Sequence, residues 1–158
     1  MKKAFLFKDN KGNVLFITIV IIAVIIFITA IVVEWHRTIT IADNFDVEIT
    51  RALKSSIDLS LKDEYRKDGV SVMDSKKAED EFYNYLFEIM KLDENFKYYE
   101  SGKFIYSLNI ENIKFVSEPP WIYIDGYIEV APVLFGMADS MYEINFSKGI
   151  HNMRLNYE

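Results

Sequence analysis

Twenty consecutive uncharged residues, opened by Val14 and closed by Val33, read VLFITIVIIAVIIFITAIVV. A helix rises about 1.5 Å per residue, so this run is roughly 30 Å long, the hydrocarbon thickness of a bilayer. Lipid offers the backbone no hydrogen bonds, so the run must be helical despite its many β-branched residues. Its polar side chains are Thr18 and Thr29, and both hydroxyls can bond back to helix carbonyls.

The flanks set the expected orientation. Residues 1–12 hold Lys2, Lys3, Lys8 and Lys11 against Asp9, a net charge of +3. The remainder then carries −9 of a chain whose total is −6. Lysines ahead of a span predict a cytoplasmic N-terminus. Glu34, His36 and Arg37 follow the run, and Trp35 stands where an indole anchors in the headgroup layer. The competing reading is a cleaved secretory signal. Signals have apolar cores of about 7–15 residues and end in a small-x-small site, which residues 32–35 do not offer. The expected organisation is therefore a basic leader over 1–12, a transmembrane helix over 13–34 and an extracytoplasmic domain over 35–158.

The chain has no cysteine, which excludes disulfides and thiolate metal sites. The acidic balance beyond the span argues against nucleic acid as a partner and against attraction to anionic lipid heads.

From Glu34 to Lys67 there is neither Gly nor Pro. Phe45, Ile49, Ala52, Leu53, Ser56 and Leu59 recur at spacings of three and four, with charged residues between them. Glu48 with Arg51 and Asp58 with Lys62 are opposite charges at helical spacing. The pattern predicts one long helix, membrane-embedded and then amphipathic, with Gly12 as the break before it and Asp68 and Gly69 as its end. Asp74 or Ser75 can cap a second helix over 76–92, whose apolar positions are Phe82, Tyr85, Leu86, Ile89 and Met90. Residues 92–102 read as a connection with packed aromatics, Phe96, Tyr98 and Tyr99. The period then switches to two. Strands are expected over 104–115 with a kink at Asn112, over 121–131 after a turn at Pro119 and Pro120, over 140–146, and over 150–157 after a turn at Lys148 and Gly149. The fold class is α+β: a long helix, a second helix and a small antiparallel meander covered by the amphipathic half of the first helix. In the second strand, Trp121, Tyr123 and Tyr127 share one face. They are either core or an exposed docking patch.

No residue set meets the requirements of catalysis. His36 and His151 form no ligand pair, and no nucleophile elbow, phosphate loop or dinucleotide fingerprint occurs. Ser55, Ser56 and Ser60 lie on the helix and read as packing residues. Asp80 with Glu81 and Asp93 with Glu94 are adjacent carboxylates that diverge by about 100° on a helix and read as solvated charge. No enzyme, cofactor or metal is expected.

The order of basic leader, apolar helix, amphipathic helix and antiparallel sheet resembles that of pilins and pilin-like subunits. More narrowly, the chain resembles the TadE/TadG-like pseudopilins of the tight-adherence (Flp) pilus system. The resembling residues are Lys8, Asp9, Asn10, Lys11, Gly12, Asn13 and Val14 with the span, then Glu34 to Arg37 and a helix containing Ala42, Asn44 and Ala52. Leu134, Phe135, Gly136 and Met137 ahead of a strand also fit. The resemblance implies a minor pseudopilin or anchored assembly component. It would act through helix-mediated packing, with membrane lipid, other pilin-like subunits and pilus assembly proteins as partners and no small-molecule substrate. It also implies a candidate processing site at Gly12 and Asn13. Processed pilins carry Glu at the fifth position after the cleavage glycine, where this chain has Ile17. That departure favours an uncleaved, TadG-like component. The rivals are an anchored extracytoplasmic sensor, which needs a ligand pocket, and a small anchored enzyme, which needs a converging polar cleft.

Overall fold

The structure, a computed structural model, describes residues 10–62, 71–133 and 141–151. Two compact units divide the chain at Arg37 and Thr38.

Helix α1 spans Asn10–Ser60. It begins before Gly12, so Gly12 and Asn13 are helical residues and the expected break there is absent. In the second unit the helix buries Phe45, Ile49, Ala52, Leu53, Ile57 and the small Ser56 and Ser60. Leu59 is 53% exposed, so the buried stripe passes through Ile57 and Ser60 instead. The two serine hydroxyls donate to helix carbonyls, Ser56 to Ala52 and Ser60 to Ser56, each at 2.6 Å. They are packing residues whose donors are satisfied within the helix.

The helix ends at Ser60, earlier than expected; Asp68 and Gly69 lie outside the described residues. The returning chain stops it. Leu61 forms an antiparallel bridge with Met73, and the Asp74 N–H donates to the last helical carbonyl, Ser60 O, at 3.0 Å. Lys62 has therefore left the helix. It lies 4.0 Å from Asp74 instead of pairing with Asp58.

The same Asp74 opens α2 (Ser75–Asn84). Its Oδ1 accepts from the Lys76 and Lys77 N–H groups at 3.1 and 3.2 Å. The Lys77 N–H, more than any other group, holds its carboxyl below the ordinary value. The expected helix over 76–92 does not run through. After Asn84 it widens into a π-helical turn, Tyr85–Ile89, closed by Met90 N–H to Tyr85 O at 3.1 Å. Ala78, Phe82, Leu86 and Met90 point inward, and Phe82 meets Phe115 edge-on at 6.3 Å.

The sheet is an antiparallel meander in the order β1-β2-β3-β4: β1 (Lys97–Glu100), β2 (Lys103–Val116), β3 (Trp121–Val130) and β4 (Tyr142–His151). Strand β1 occupies part of the segment expected to be a connection. Ser101 and Gly102, with φ of 51° and 78°, make the two-residue turn into β2. The kink expected at Asn112 is a bulge between Ile110 and Asn112. Opposite it lies Gly126, where a Cβ would come within 2.1 Å of the Asn109 carbonyl oxygen. Only glycine fits that approach.

The expected turn at Lys148 and Gly149 does not exist; one strand, β4, runs through both. Gly149 sits opposite Tyr123, where a Cβ would lie 3.3 Å from the Trp121 Nε1. Lys148 turns to the inner face, and its Nζ lies 2.7 Å from Asp46 Oδ1 on α1. Of the strand expected over 150–157, Ile150 and His151 end β4, and residues 152–157 lie outside the described residues.

Strand β3 buries Ile122, Ile124, Ile128 and Val130. Strand β4 adds the half-buried Ile144, Phe146 and Ile150, and Phe45 of α1 meets Phe146 edge-on at 5.0 Å. At roughly 1.5–3 kcal/mol per fully buried large apolar side chain, this helix-on-sheet layer is the main stabilising feature of the second unit.

Candidate membrane anchor and ligand cleft

The first candidate site is the apolar run itself. Residues 14–33 carry Ile, Val, Leu or Phe at 16 of 20 positions. These side chains are bare: Phe16 is 66% exposed, Ile26 64% and Val33 57%. The Thr18 hydroxyl donates to Val14 O at 2.9 Å and the Thr29 hydroxyl to Ile25 O at 2.8 Å. Every polar side chain in the run is thus satisfied within the helix. The helix is long and apolar enough to cross a membrane, and none of its most apolar stretch is buried against protein. On an insertion scale the run is worth roughly 5–8 kcal/mol in favour of the bilayer.

The candidate residues around the run are placed as follows. Gly12 and Asn13 are helical, and Ile17 is half exposed on the same helix. Trp35 is 68% exposed, one residue beyond Glu34. Glu34 is buried, and its Oε1 lies 3.3 Å from Arg37 Nη1.

The second candidate site is a cleft of about 470 Å³ in the second unit, where α1, the π-helical turn and the β1–β2 hairpin meet. Its apolar wall is Ile41 and Phe45 from α1, Ile89 and Met90 from the turn, and Ile105 from β2. Tyr98 and Tyr106 pair across β1 and β2 and stack with ring centroids 5.3 Å apart. Phe45 meets Tyr106 edge-on at 6.0 Å. Glu48, Lys91 and Glu100 stand at the rim. Glu48 accepts from the Tyr85 hydroxyl at 3.0 Å through Oε2 and from Arg51 through Oε1. Burial, with Tyr98 and Glu48 nearby, pushes the Tyr106 phenol up to about 12. Tyr85 is also raised, first by burial and then by its bond to Glu48.

This cleft was not expected from the sequence. Its residues come from three segments spread over 41–106. Of the aromatics at 96–99, read from the sequence as a packed connection, Tyr98 lines it. A π-helical turn at a site is informative, because such turns often re-aim side chains at functional positions. Here it is the turn that carries Ile89 and ends in Met90 and Lys91, the latter at φ 57°.

The aromatic face of β3 is not core. Trp121, Tyr123 and Tyr127 are half-buried on the outer side of the sheet. Trp121 stacks on His151 at 5.4 Å, which accounts for that histidine. Cross-strand bonds knit the same face: Ser107 to Glu129 at 3.0 Å, Asn112 to Asp125 at 2.9 Å, and Tyr123 with Ser147 at 3.2 Å. Asp93 is structural too, accepting from the Asn95 and Lys97 N–H groups at 2.8 Å. Among the described residues, no group of three or more His, Asp or Glu is placed to hold a metal.

No family model, no curated protein and no solved structure matches this chain.

Proposed function

We propose that this chain is a membrane-anchored, pilin-like assembly component of the TadE/TadG type, with its N-terminus cytoplasmic and its α+β domain outside. The carrying observation is the bare apolar run of α1. Sixteen large apolar side chains with no protein cover need lipid, or copies of the same helix, to be stable in water. The lysines of the leader favour the N-in orientation. The chain order of apolar helix, amphipathic helix and antiparallel meander supports the pilin-like reading. Ile17 favours retention of the leader over processing after Gly12.

The test is the intact mass of the protein from native membranes, with and without prepilin peptidase, alongside disulfide capture from a single cysteine at Val24→Cys. The expected results are an unchanged full-length mass and lateral cross-links through the span. Peptidase-dependent loss of residues 1–12 would replace this reading with a processed subunit. Full-length protein with no cross-link would leave an anchored binding domain. That second reading is favoured by one observation, the cleft against the β1–β2 hairpin.

A further inference from the structure

Several features of the cleft go unused by the anchor reading. Tyr106 is 9% exposed, yet among the described residues its hydroxyl has no hydrogen-bond partner, and it lines the cleft. The hydroxyl keeps contact with solvent, so a ligand in the cleft can bond to it without first breaking a protein hydrogen bond. With its phenol held up at about 12, it is a neutral O–H group throughout the physiological range. The ring faces of Tyr98 and Tyr106 and the edge of Phe45 supply an aromatic wall. The rim sets two carboxylates, Glu48 and Glu100, against one ammonium, Lys91. Glu48 already serves Arg51 and Tyr85, whereas Glu100 lies exposed on β1. Aromatic faces and the Glu100 carboxylate, which has no ion pair among the described residues, both attract a cation. The volume of about 470 Å³ falls in the range of small-molecule sites.

We propose that the cleft binds a small organic cation: an amine with an apolar or aromatic body. The body lies on Ile41, Met90 and Ile105. The ammonium faces Glu100 and donates a hydrogen bond to the Tyr106 hydroxyl oxygen. This proposal deepens the binding-domain reading and does not depend on what the anchor assembles with.

The test uses full-length protein in lipid nanodiscs with 13C-labelled methionine methyls. Met90 lines the cleft, while the fully buried Met73 lies in the helix return and serves as an internal control. Three probes share one body and differ in charge: phenethylamine, 2-phenylethanol and phenylacetate. The expected result is a saturable shift of Met90 alone, with phenethylamine binding about fivefold or more tighter than the alcohol and phenylacetate weakest. Glu100→Gln, an exposed change that spares the core, should remove most of that preference and leave alcohol binding unchanged. Tyr106→Phe should weaken the amine and the alcohol together. Equal binding of all three probes, shifts of Met73 as large as those of Met90, or no saturable shift of Met90 would each overturn the proposal. None of these outcomes bears on the mass and cross-linking results that test the anchor.

Discussion

Residues 14–33 of α1 place large apolar side chains all round the helix, and the structure leaves them bare. Residues 45–60 of the same helix place apolar and small side chains on one stripe, which the sheet and α2 cover. Both stretches are helical, but for different reasons. In the first, which is apolar enough to cross a membrane, a bilayer would force the helix, because lipid leaves any non-helical backbone unsatisfied. In the second, one face has a partner, and packing supplies the stability. The periodicity of the apolar residues tells the two apart. A stripe at spacings of three and four needs a protein surface, whereas a continuous run needs a medium.

The difference can be broken most forcefully in the first stretch. Replacing both Ile22 and Ile25 by Asp removes two favourable contributions and adds two charges near the centre of the run. The cost is roughly 7 kcal/mol, comparable with the whole insertion energy. Carbonate extraction should move the double variant from pellet to supernatant, while the melting of the second unit stays unchanged. A single Ile25→Asp, at about half that cost, should still pellet. The converse change is Leu53→Ala, at a fully buried position. It should cost about 2–5 kcal/mol in denaturant unfolding and leave membrane partition untouched. If either variant moved both readouts, the two stretches would not be energetically separate.

A smaller effect comes from the cleft side of the second unit. Burial raises the Tyr106 phenol to about 12, above its unfolded value near 10. Folding therefore favours the protonated form. The contribution is fully present below about pH 10 and is lost as pH rises toward 12, amounting to about 2–3 kcal/mol. Unfolding free energy should fall across that window. Tyr106→Phe should flatten the fall without abolishing it, because Tyr83 and Tyr85 are raised in the same direction.

How much of this was legible follows from the range of each signal. The long helix with its apolar first half, the Asp74 cap, the kink at Asn112 and the alternation of β3 are local patterns, and the structure carries all of them. The failures are places where a distant neighbour decided. Gly149 reads as a turn, but it is a strand residue because Trp121 needs the space above it. Asp68 and Gly69 read as a stop, but Met73 and Asp74 return to end the helix at Ser60. Strand β1 is four residues with little alternation, recognisable only from its pairing with β2. The cleft depends on that hairpin and on a π-helical turn, so none of its geometry is written in any one segment.

The smallest predicted effect concerns β4, an edge strand of the described sheet. Lys148 points inward from the edge strand β4 and pairs with Asp46 of α1, both partly exposed. A partly exposed pair contributes only about 0.2–1 kcal/mol, so Lys148→Met should change stability by no more than that, and a double-mutant cycle with Asp46→Ala should give a coupling in the same range. Stability is then a poor explanation for an inward lysine on an edge. Edge strands that carry inward charges resist pairing with a second copy, because the charge would be trapped if another strand covered it. Lys148→Met should therefore raise self-association, read by light scattering at rising protein concentration, while its melting curve barely moves. If scattering stays unchanged and the coupling exceeds about 1 kcal/mol, the lysine is a stabilising tie between sheet and helix, and the covered half of α1 is held by charge as well as by its apolar stripe.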